Sequence, residues 1–260
     1  MKSRFSIALA LACTLPGAGC ATWAVGESGA GPEAPRRVEA PTLMDASDDS
    51  SAAVLRTALA DTARRILVSK ERRHLWLMEG DRVVFDAPVA VGRDTIFRYA
   101  GQTWDFSTPA GRRTVQGKET DPLWVPPDWH YYEKAVERGL EPVRLTPNSR
   151  IALTDGTRIE VRGDEVGRVN QYGNFRAFTQ GTEIIFDGKI FMPPIGTRQR
   201  QIPDVLGTHR LFLGDGYLIH GTNQEGSIGS AVSHGCVRLN NDDVALLYGQ
   251  VEAGTPVYIY

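Results

Sequence analysis

The sequence predicts a mainly β fold, because its apolar residues fall in short runs separated by tight-turn sequences. Asp-Gly between two apolar runs is a strong hairpin signal, since both central residues of such a turn need a positive φ. The sequence has no phosphate-loop or dinucleotide-binding fingerprint, which would have favoured a doubly wound α/β fold. The turns that carry the prediction are Glu79-Gly80-Asp81, Asp155-Gly156, Asp187-Gly188 and Asp215-Gly216.

The flanking apolar runs predict the strands themselves. Each pair of runs should form one antiparallel hairpin, and Pro256–Tyr260 should add a last strand. The four pairs are Leu75–Met78 with Val83–Phe85, Ile151–Thr154 with Ile159–Val161, Ile184–Phe186 with Ile190–Met192, and Leu211–Leu213 with Tyr217–Ile219.

Three short helices interrupt this pattern. Apolar residues recur at helical spacing over Ala53–Arg65, which predicts an amphipathic helix that leads into the domain. A second helix is predicted over Tyr131–Arg138, where Gly139 ends it. A third is predicted over Asp242–Val251, with a cap near Asn241.

The N-terminal segment predicts export. Residues 1–20 combine a positively charged start, an apolar run and a small-residue end, the anatomy of a secretory signal. Two interpretations stay open: a lipoprotein signal that leaves Cys20 lipidated, or plain cleavage near Ala21 or Ala24. Residues 21–52 are rich in Ala, Gly, Pro, Ser and Asp, which predicts a disordered linker, and residues 53–260 then form the domain. We therefore expect a periplasmic or cell-envelope protein, with the membrane involved only through a lipid on Cys20.

Bulk composition excludes one function class. The 260 residues carry a net charge of −2 and 42% hydrophobic residues, typical of a globular protein with an ample core. A nucleic-acid binder would show a basic patch or stripe, and we expect no such partner.

A single cysteine near two histidines gives the strongest functional signal. Cys13 leaves with the signal, so Cys236 is the free thiol of the mature chain unless Cys20 pairs with it. A thiolate that attacks an acyl carbon needs a neighbouring base, and imidazole titrates in the right range. His220 ends the second strand of the Asp215-Gly216 hairpin, and His234 lies two residues before the thiol.

The turn Ser233-His234-Gly235-Cys236 offers the remaining parts of an acyl-transfer site. Backbone N–H groups in such a turn stabilise the negative charge that develops on the attacked carbonyl. Other interpretations are weaker. A partly buried cysteine alone is more often a small apolar residue. A zinc site at His220, His234 and Cys236 has only His209 as a fourth ligand. We expect His74, His130 and His209 to be structural.

These residues resemble the L,D-transpeptidase catalytic (YkuD-type) domain family. The family hallmark is a His-Gly followed by Ser-His-Gly-Cys-x-Arg, and here it is matched by His220, Gly221, Ser233, His234, Gly235, Cys236 and Arg238. Further matches lie at residues 88–92, 108–111 and 206–207. The resemblance implies an L,D-transpeptidase-like β-sandwich or barrel with a few short helices.

The resemblance also implies roles. Cys236 would be the nucleophile and His220 its base. His234 and Arg238 would shape the pocket, and the Gly235 and Cys236 amides would hold the oxyanion. The substrates would be peptidoglycan stem peptides, cut between meso-diaminopimelate and D-Ala and passed to an amine of another stem or of an envelope protein. Carbapenems would acylate the same thiol, and no metal or cofactor is implied.

Two alternatives remain at the sequence level. Water instead of an amine would give an L,D-carboxypeptidase, and an idle thiol would leave a peptidoglycan-binding module. One departure from the family also stands out: residues 130–203 form an insertion, and its two Asp-Gly hairpins predict ordered β structure. We expect this insertion to line the substrate groove.

Overall fold

β-Strands dominate residues 39–260, the part of the chain that the computed structural model describes. The helices are α1 (Asp49–Ala60), α2 (Asp128–Arg138) and α3 (Asn241–Gln250), and 3₁₀ turns lie at Leu43–Asp45, Arg198–Arg200 and Glu225–Ser227. The strands are β1 (Arg65–Ser69), β2 (His74–Glu79), β3 (Arg82–Pro88), β4 (Val91–Gly92), β5 (Ile96–Tyr99), β6 (Gln102–Asp105), β7 (Gly111–Thr114), β8 (Gly117–Thr120), β9 (Glu141–Arg144), β10 (Arg150–Ala152), β11 (Arg158–Arg162), β12 (Glu165–Val169), β13 (Phe175–Ala177), β14 (Ile184–Phe186), β15 (Lys189–Met192), β16 (His209–Phe212), β17 (Leu218–His220), β18 (Ala231–Ser233), β19 (Val237–Arg238) and β20 (Pro256–Ile259). The predicted mainly β fold is confirmed.

All four predicted hairpins form. β2 pairs with β3, β10 with β11, β14 with β15 and β16 with β17, each antiparallel. At the last two turns both central residues have positive φ, 50° at Asp187 and 53° at Asp215, each followed by a glycine above 70°. At Asp155-Gly156 only the glycine does. The same holds at Gly80-Asp81, so the turn sequences predicted the positions of all four hairpins, although two of them use a different turn geometry.

Helix boundaries shift from their predicted positions. α1 begins at Asp49 and ends at Ala60, earlier than the predicted 53–65, because the Asp48 carboxylate accepts a hydrogen bond from Ser51 N and caps it. The predicted linker over residues 21–52 is therefore corrected at its end, where Asp49 to Ala52 are helical; residues 21–38 lie outside the described part. α2 begins at Asp128 and ends where Gly139 adopts φ 65°. α3 is capped by Asn240, one residue before the predicted Asn241.

Two sheets pack face to face and form the central sandwich. One has the strand order β3-β2-β1-β20-β7, and the other has the order β19-β17-β16-β8. Their inner faces share one core with α3, which includes Ile66, Leu75, Leu211, Ile219, Val237 and Val244. Strand alternation sends Leu67 and Trp76 to the outer face of the first sheet, where α1 covers them with Leu55 and Ala58.

The insertion builds its own β layers. β10 to β13 form a four-stranded antiparallel sheet, and β14, β15 and β9 form a three-stranded sheet. A separate core fills this part, with Leu145, Ile159, Val166, Ile184 and Phe191 all buried. The prediction of an ordered β insertion is confirmed.

The described helices include none that is both long and apolar enough to cross a membrane. The predicted signal over residues 1–20 lies outside the described residues, as does Cys20.

Candidate active site

The predicted base and the predicted nucleophile lie on, or directly before, two adjacent parallel strands. β17 pairs with β19 in the register Ile219 with Val237 and His220 with Arg238. Ile219 and Val237 both point into the sandwich core. Because side chains alternate along a strand, His220, Cys236 and Arg238 share the opposite face. Strand spacing sets the Cα atoms of His220 and Cys236 about 8 Å apart, a span that the two side chains can bridge.

His220 is held as a neutral ring. Its Nδ1 lies in hydrogen-bond contact with the Gly221 carbonyl oxygen, so Nδ1 carries the proton and Nε2 is left as an acceptor. The side chain is buried, and burial, reinforced by the charge of Arg238, lowers the pKa of His220 to about 4. The ring is therefore an unprotonated base at neutral pH.

Cys236 is half-buried at the end of β19 and rests as a thiol. Burial raises the pKa of the Cys236 thiol, while the Leu218 N–H and the charge of Arg238 act in the opposite direction. Sγ also lies 4.0 Å from the Gly216 carbonyl oxygen, a weak contact for the thiol proton. The pair at rest is thus thiol and neutral imidazole, and the thiolate forms only when the proton is taken up by a base.

A network of short bonds fixes the turn that precedes the thiol. Ser233 Oγ donates to the Cys236 carbonyl at 2.6 Å and accepts from Gly235 N–H at 3.1 Å. Thr108 Oγ1 donates to the Gly235 carbonyl at 2.9 Å and accepts from Gly92 N–H at 2.7 Å. Gly235 has φ 118°, and a Cβ there would lie 2.9 Å from the Tyr217 ring, so the position requires glycine.

This network bears on the predicted oxyanion donors. The Gly235 N–H already donates to Ser233 Oγ, so it can turn to an oxyanion only if that bond is released. The role of the two amides stays a prediction.

His234 is bound on several sides. Its Nε2 lies 2.8 Å from Glu133 Oε2 on α2. Its ring stacks on Trp129 at 4.2 Å and meets Phe106 edge-on at 4.6 Å. Burial lowers the pKa of His234, although the Glu133 carboxylate works against that shift. Glu133 also binds Arg93, so helix α2 is tied to the Ser233–Cys236 turn.

The remaining predicted residues also border the site. Gly221 follows His220 directly, and a Cβ on it would lie 3.1 Å from Gly207 Cα, so the two loops need glycine to meet. Arg238 follows on β19, and its backbone bridges to Ala90. Residues 88–92, one of the segments that match the family, thus bond to both β18 and β19.

Sequence reasoning missed three of these contacts. Thr108, Glu133 and Trp129 touch the motif from positions far along the chain. Only Thr108 had a signal, since it lies in one of the segments that matched the family.

The other histidines have structural partners. His74 binds Asp86 at 2.7 Å, the His130 ring meets Trp124 edge-on at 4.9 Å, and His209 lies against Tyr248. In residues 39–260, no group of three or more His, Cys, Asp or Glu side chains is arranged to hold a metal ion.

Comparison with known proteins identifies a family. A model of the YkuD family, described as "L,D-transpeptidase catalytic domain", matches residues 63–259. That range includes both sheets of the sandwich, the insertion and every residue of the site described above.

Individual relatives match over shorter segments. "Probable L,D-transpeptidase YbiS" of Escherichia coli (strain K12) is 50% identical over 52 residues, 20% of this chain and 17% of the relative. "Probable L,D-transpeptidase ErfK/SrfK" of Salmonella typhimurium is 36% identical over 87 residues, 28% of each chain. The match thus spans less than a third of either relative.

Solved structures match at low identity. The catalytic domain of the Enterococcus faecium L,D-transpeptidase shares 16% identity, with coverage of 77% of this chain and 99% of that chain and a TM-score of 0.39. An L,D-transpeptidase from Xylanimonas cellulosilytica shares 15%, with coverage of 77% and 62% and a TM-score of 0.40.

Proposed function

We propose that this chain, which belongs to the L,D-transpeptidase catalytic domain (YkuD) family, is a peptidoglycan L,D-transpeptidase. The donor is a tetrapeptide stem, and the bond cut joins the meso-diaminopimelyl residue to the terminal D-Ala. The acceptor is an amine of a second stem or of an envelope protein.

Each step of the proposed reaction balances. His220 Nε2 takes the thiol proton as Cys236 Sγ attacks the carbonyl carbon, and a tetrahedral oxyanion forms. The intermediate collapses to a thioester, and the D-Ala nitrogen leaves with the proton from His220. The acceptor amine then attacks the thioester and gives its proton to His220. That proton passes to Cys236 Sγ as the sulfur leaves, which restores the neutral pair.

One observation carries this proposal: His220 and Cys236 share a face of the β17–β19 pair, with Nδ1 of the histidine held by the Gly221 carbonyl. That bond fixes the tautomer in which Nε2 can accept a proton. The low pKa of His220 keeps this nitrogen free at neutral pH.

The test is incubation of the purified protein with disaccharide-tetrapeptides, with products read by mass spectrometry. We expect crosslinked dimers and free D-Ala. Tripeptides without dimers would mean that water resolves the thioester and that the protein is an L,D-carboxypeptidase. If a folded sample left the substrate unchanged, the remaining hypothesis would be a peptidoglycan-binding module without catalytic activity.

The Cys236→Ala variant is the matched control. It should give neither product and, unlike the wild-type protein, should gain no mass when treated with meropenem. Retained turnover in Cys236→Ala would place the chemistry elsewhere.

Localisation is a second part of the proposal. The signal-like residues 1–20 support export to the periplasm or cell envelope, where the proposed substrate lies. Intact mass of the protein isolated from membranes distinguishes the two cleavage hypotheses. A lipid-sized gain on Cys20 indicates an anchor, and a chain that begins near Ala21 or Ala24 indicates plain cleavage.

The insertion is proposed to line the substrate groove. Helix α2 supports this proposal, because its Trp129 and Glu133 side chains contact His234. A variant without residues 143–200 keeps α2 and removes the β layers. Unchanged crosslinking by a folded form of that variant would refute the proposal for those layers.

A further inference from the structure

Arg238 lies on the same face of β19 as the nucleophile. It follows Cys236 by two residues, so the two Cα atoms are about 6.6 Å apart along the strand and both side chains leave the sheet on the side away from the core. Its backbone partner across the strand pair is His220. The guanidinium charge reaches both groups: it lowers the pKa of His220 and of Cys236.

The Arg238 side chain has no anionic partner among residues 39–260. Its Nε is buried and makes no hydrogen bond, and one terminal nitrogen lies 3.5 Å from Gln224 Oε1. Burial lowers the pKa of Arg238, but an arginine keeps its proton at physiological pH. A half-buried cation whose buried Nε has no hydrogen-bond partner therefore lies beside the nucleophile.

Two buried arginines show how this fold satisfies an arginine whose role is structural. Arg65 donates to the carbonyl oxygens of Ala58, Ala63 and Gly80. Arg200 donates to two carbonyl oxygens and pairs with Asp128 at 2.7 Å. An unpaired buried charge is costly, and the cost is relieved when an anion arrives. Arg238 differs from both because its Nε has no partner, and it lies on the face of β17 and β19 that carries His220.

We infer that Arg238 binds the free C-terminal carboxylate of the residue that leaves when Cys236 is acylated. This rests on the proposed function. The carboxylate carbon of that residue lies three bonds from the attacked carbonyl carbon, about 3–4 Å away. The other carboxylates of a tetrapeptide stem are separated from that carbon by a longer chain of bonds. A guanidinium two residues from the nucleophile matches the nearer position, and its planar N–H fork suits a carboxylate.

The inference explains donor choice in physical terms. A stem whose cut residue ends in a carboxylate pairs with the Arg238 charge, whereas one whose cut residue is amidated or extended leaves that charge unpaired. The protein should therefore cut a terminal residue and reject an internal bond.

The test compares two donors that differ in one group: a disaccharide-tetrapeptide with a free D-Ala carboxylate and the same compound with a D-Ala amide. The measured quantity is kcat/KM for release of the terminal residue. We expect the wild-type protein to favour the carboxylate by about 10- to 100-fold. Arg238→Gln should bring that ratio close to one, chiefly by slowing the carboxylate donor.

Arg238→Lys keeps the charge and loses the planar fork, so it should retain part of the preference. It also keeps the test valid if Arg238→Gln does not fold. Equal use of both donors by wild type, or an unchanged preference in Arg238→Gln, would overturn the inference while leaving the proposed function intact. Failure of wild type to cleave either donor, with no mass gain from meropenem, would remove the proposed function and the inference with it.

Discussion

The strand pair β17–β19 and the β10–β13 sheet of the insertion differ in how their charged side chains are paired. Glu160 on β11 is almost wholly covered, and its carboxylate is bonded by Arg158 and Arg162, with Arg150 at 3.7 Å. Arg238 on β19 has a buried Nε without a partner. His220, on the neighbouring strand, is also buried, and it is held neutral.

The difference separates stability from function. A paired buried charge has its hydrogen-bonding capacity used within the protein, so it supports the fold and has little left to offer a ligand. A buried charged group without a partner lowers the stability of the folded protein, and it is retained where a ligand supplies the missing partner. By this criterion the paired Glu160 of β11 supports the fold, and the face of β17 and β19 is the proposed site.

The largest expected effect comes from removing the base. His220→Gln should slow acylation of Cys236 by meropenem about 10²- to 10⁴-fold, because the thiol then has no proton acceptor. The measurement is the time course of the intact-mass adduct. His209→Gln is the matched control, since His209 lies on β16 against Tyr248, and it should acylate at the wild-type rate. Equal rates in the two variants would contradict the assignment of His220.

A second prediction concerns the acid limb of the pH profile. Since the pKa of His220 is lowered to about 4, its Nε2 stays unprotonated well below the range of an ordinary histidine, near 6.5. The kcat/KM for acylation should therefore begin to fall only as pH approaches 4, then drop about tenfold per unit. Initial rates of adduct formation across pH 3.5–8 measure this. A midpoint near 6.5 would show that the base is solvated, or that it is another group.

The sequence predicted the elements better than the contacts between them. Hairpins such as Asp215-Gly216 follow from turn chemistry that is local to two residues, and the spacing of His220 and Cys236 follows from one hairpin and one short strand. The bond from Glu133 to His234 joins residues 101 apart, and that from Thr108 to Gly235 joins residues 127 apart. Neither pair has a local pattern, because both depend on how separate layers pack. The early start of α1 did have a local signal, the Asp48 cap, which apolar periodicity alone does not reveal.

A smaller effect is expected from the link between α2 and the motif. Glu133→Gln keeps the shape but removes the charge that binds His234 and Arg93, so acylation should slow about three- to tenfold. The pKa of His234 should fall further, since the carboxylate is the group that raises it. Titration of the His234 ring by NMR measures that shift.

Glu183→Gln is the control for this link. Glu183, which precedes β14, pairs with Lys134 and Arg138 of α2. Its replacement therefore removes ion pairs of α2 without changing the contact between Glu133 and His234. A pKa of His234 that is the same in Glu133→Gln and wild type would contradict the positioning role.

The smallest kinetic effect should come from the paired charge of the insertion. Hydrogen bonds from Arg158 and Arg162 lower the pKa of Glu160, so its ionised form stabilises the folded state above the ordinary carboxylate pKa, and that stability is lost as pH falls through the lowered value. Glu160→Gln should therefore lower Tm at pH 7, less so in acid, and leave acylation within twofold of wild type. Arg238→Gln should do the reverse, with loss of carboxylate preference and no loss of Tm, because it removes a half-buried charge that has no anionic partner among residues 39–260. If Glu160→Gln changed acylation as much as Arg238→Gln changes donor preference, the division between a structural charge at Glu160 and a functional charge at Arg238 would be wrong.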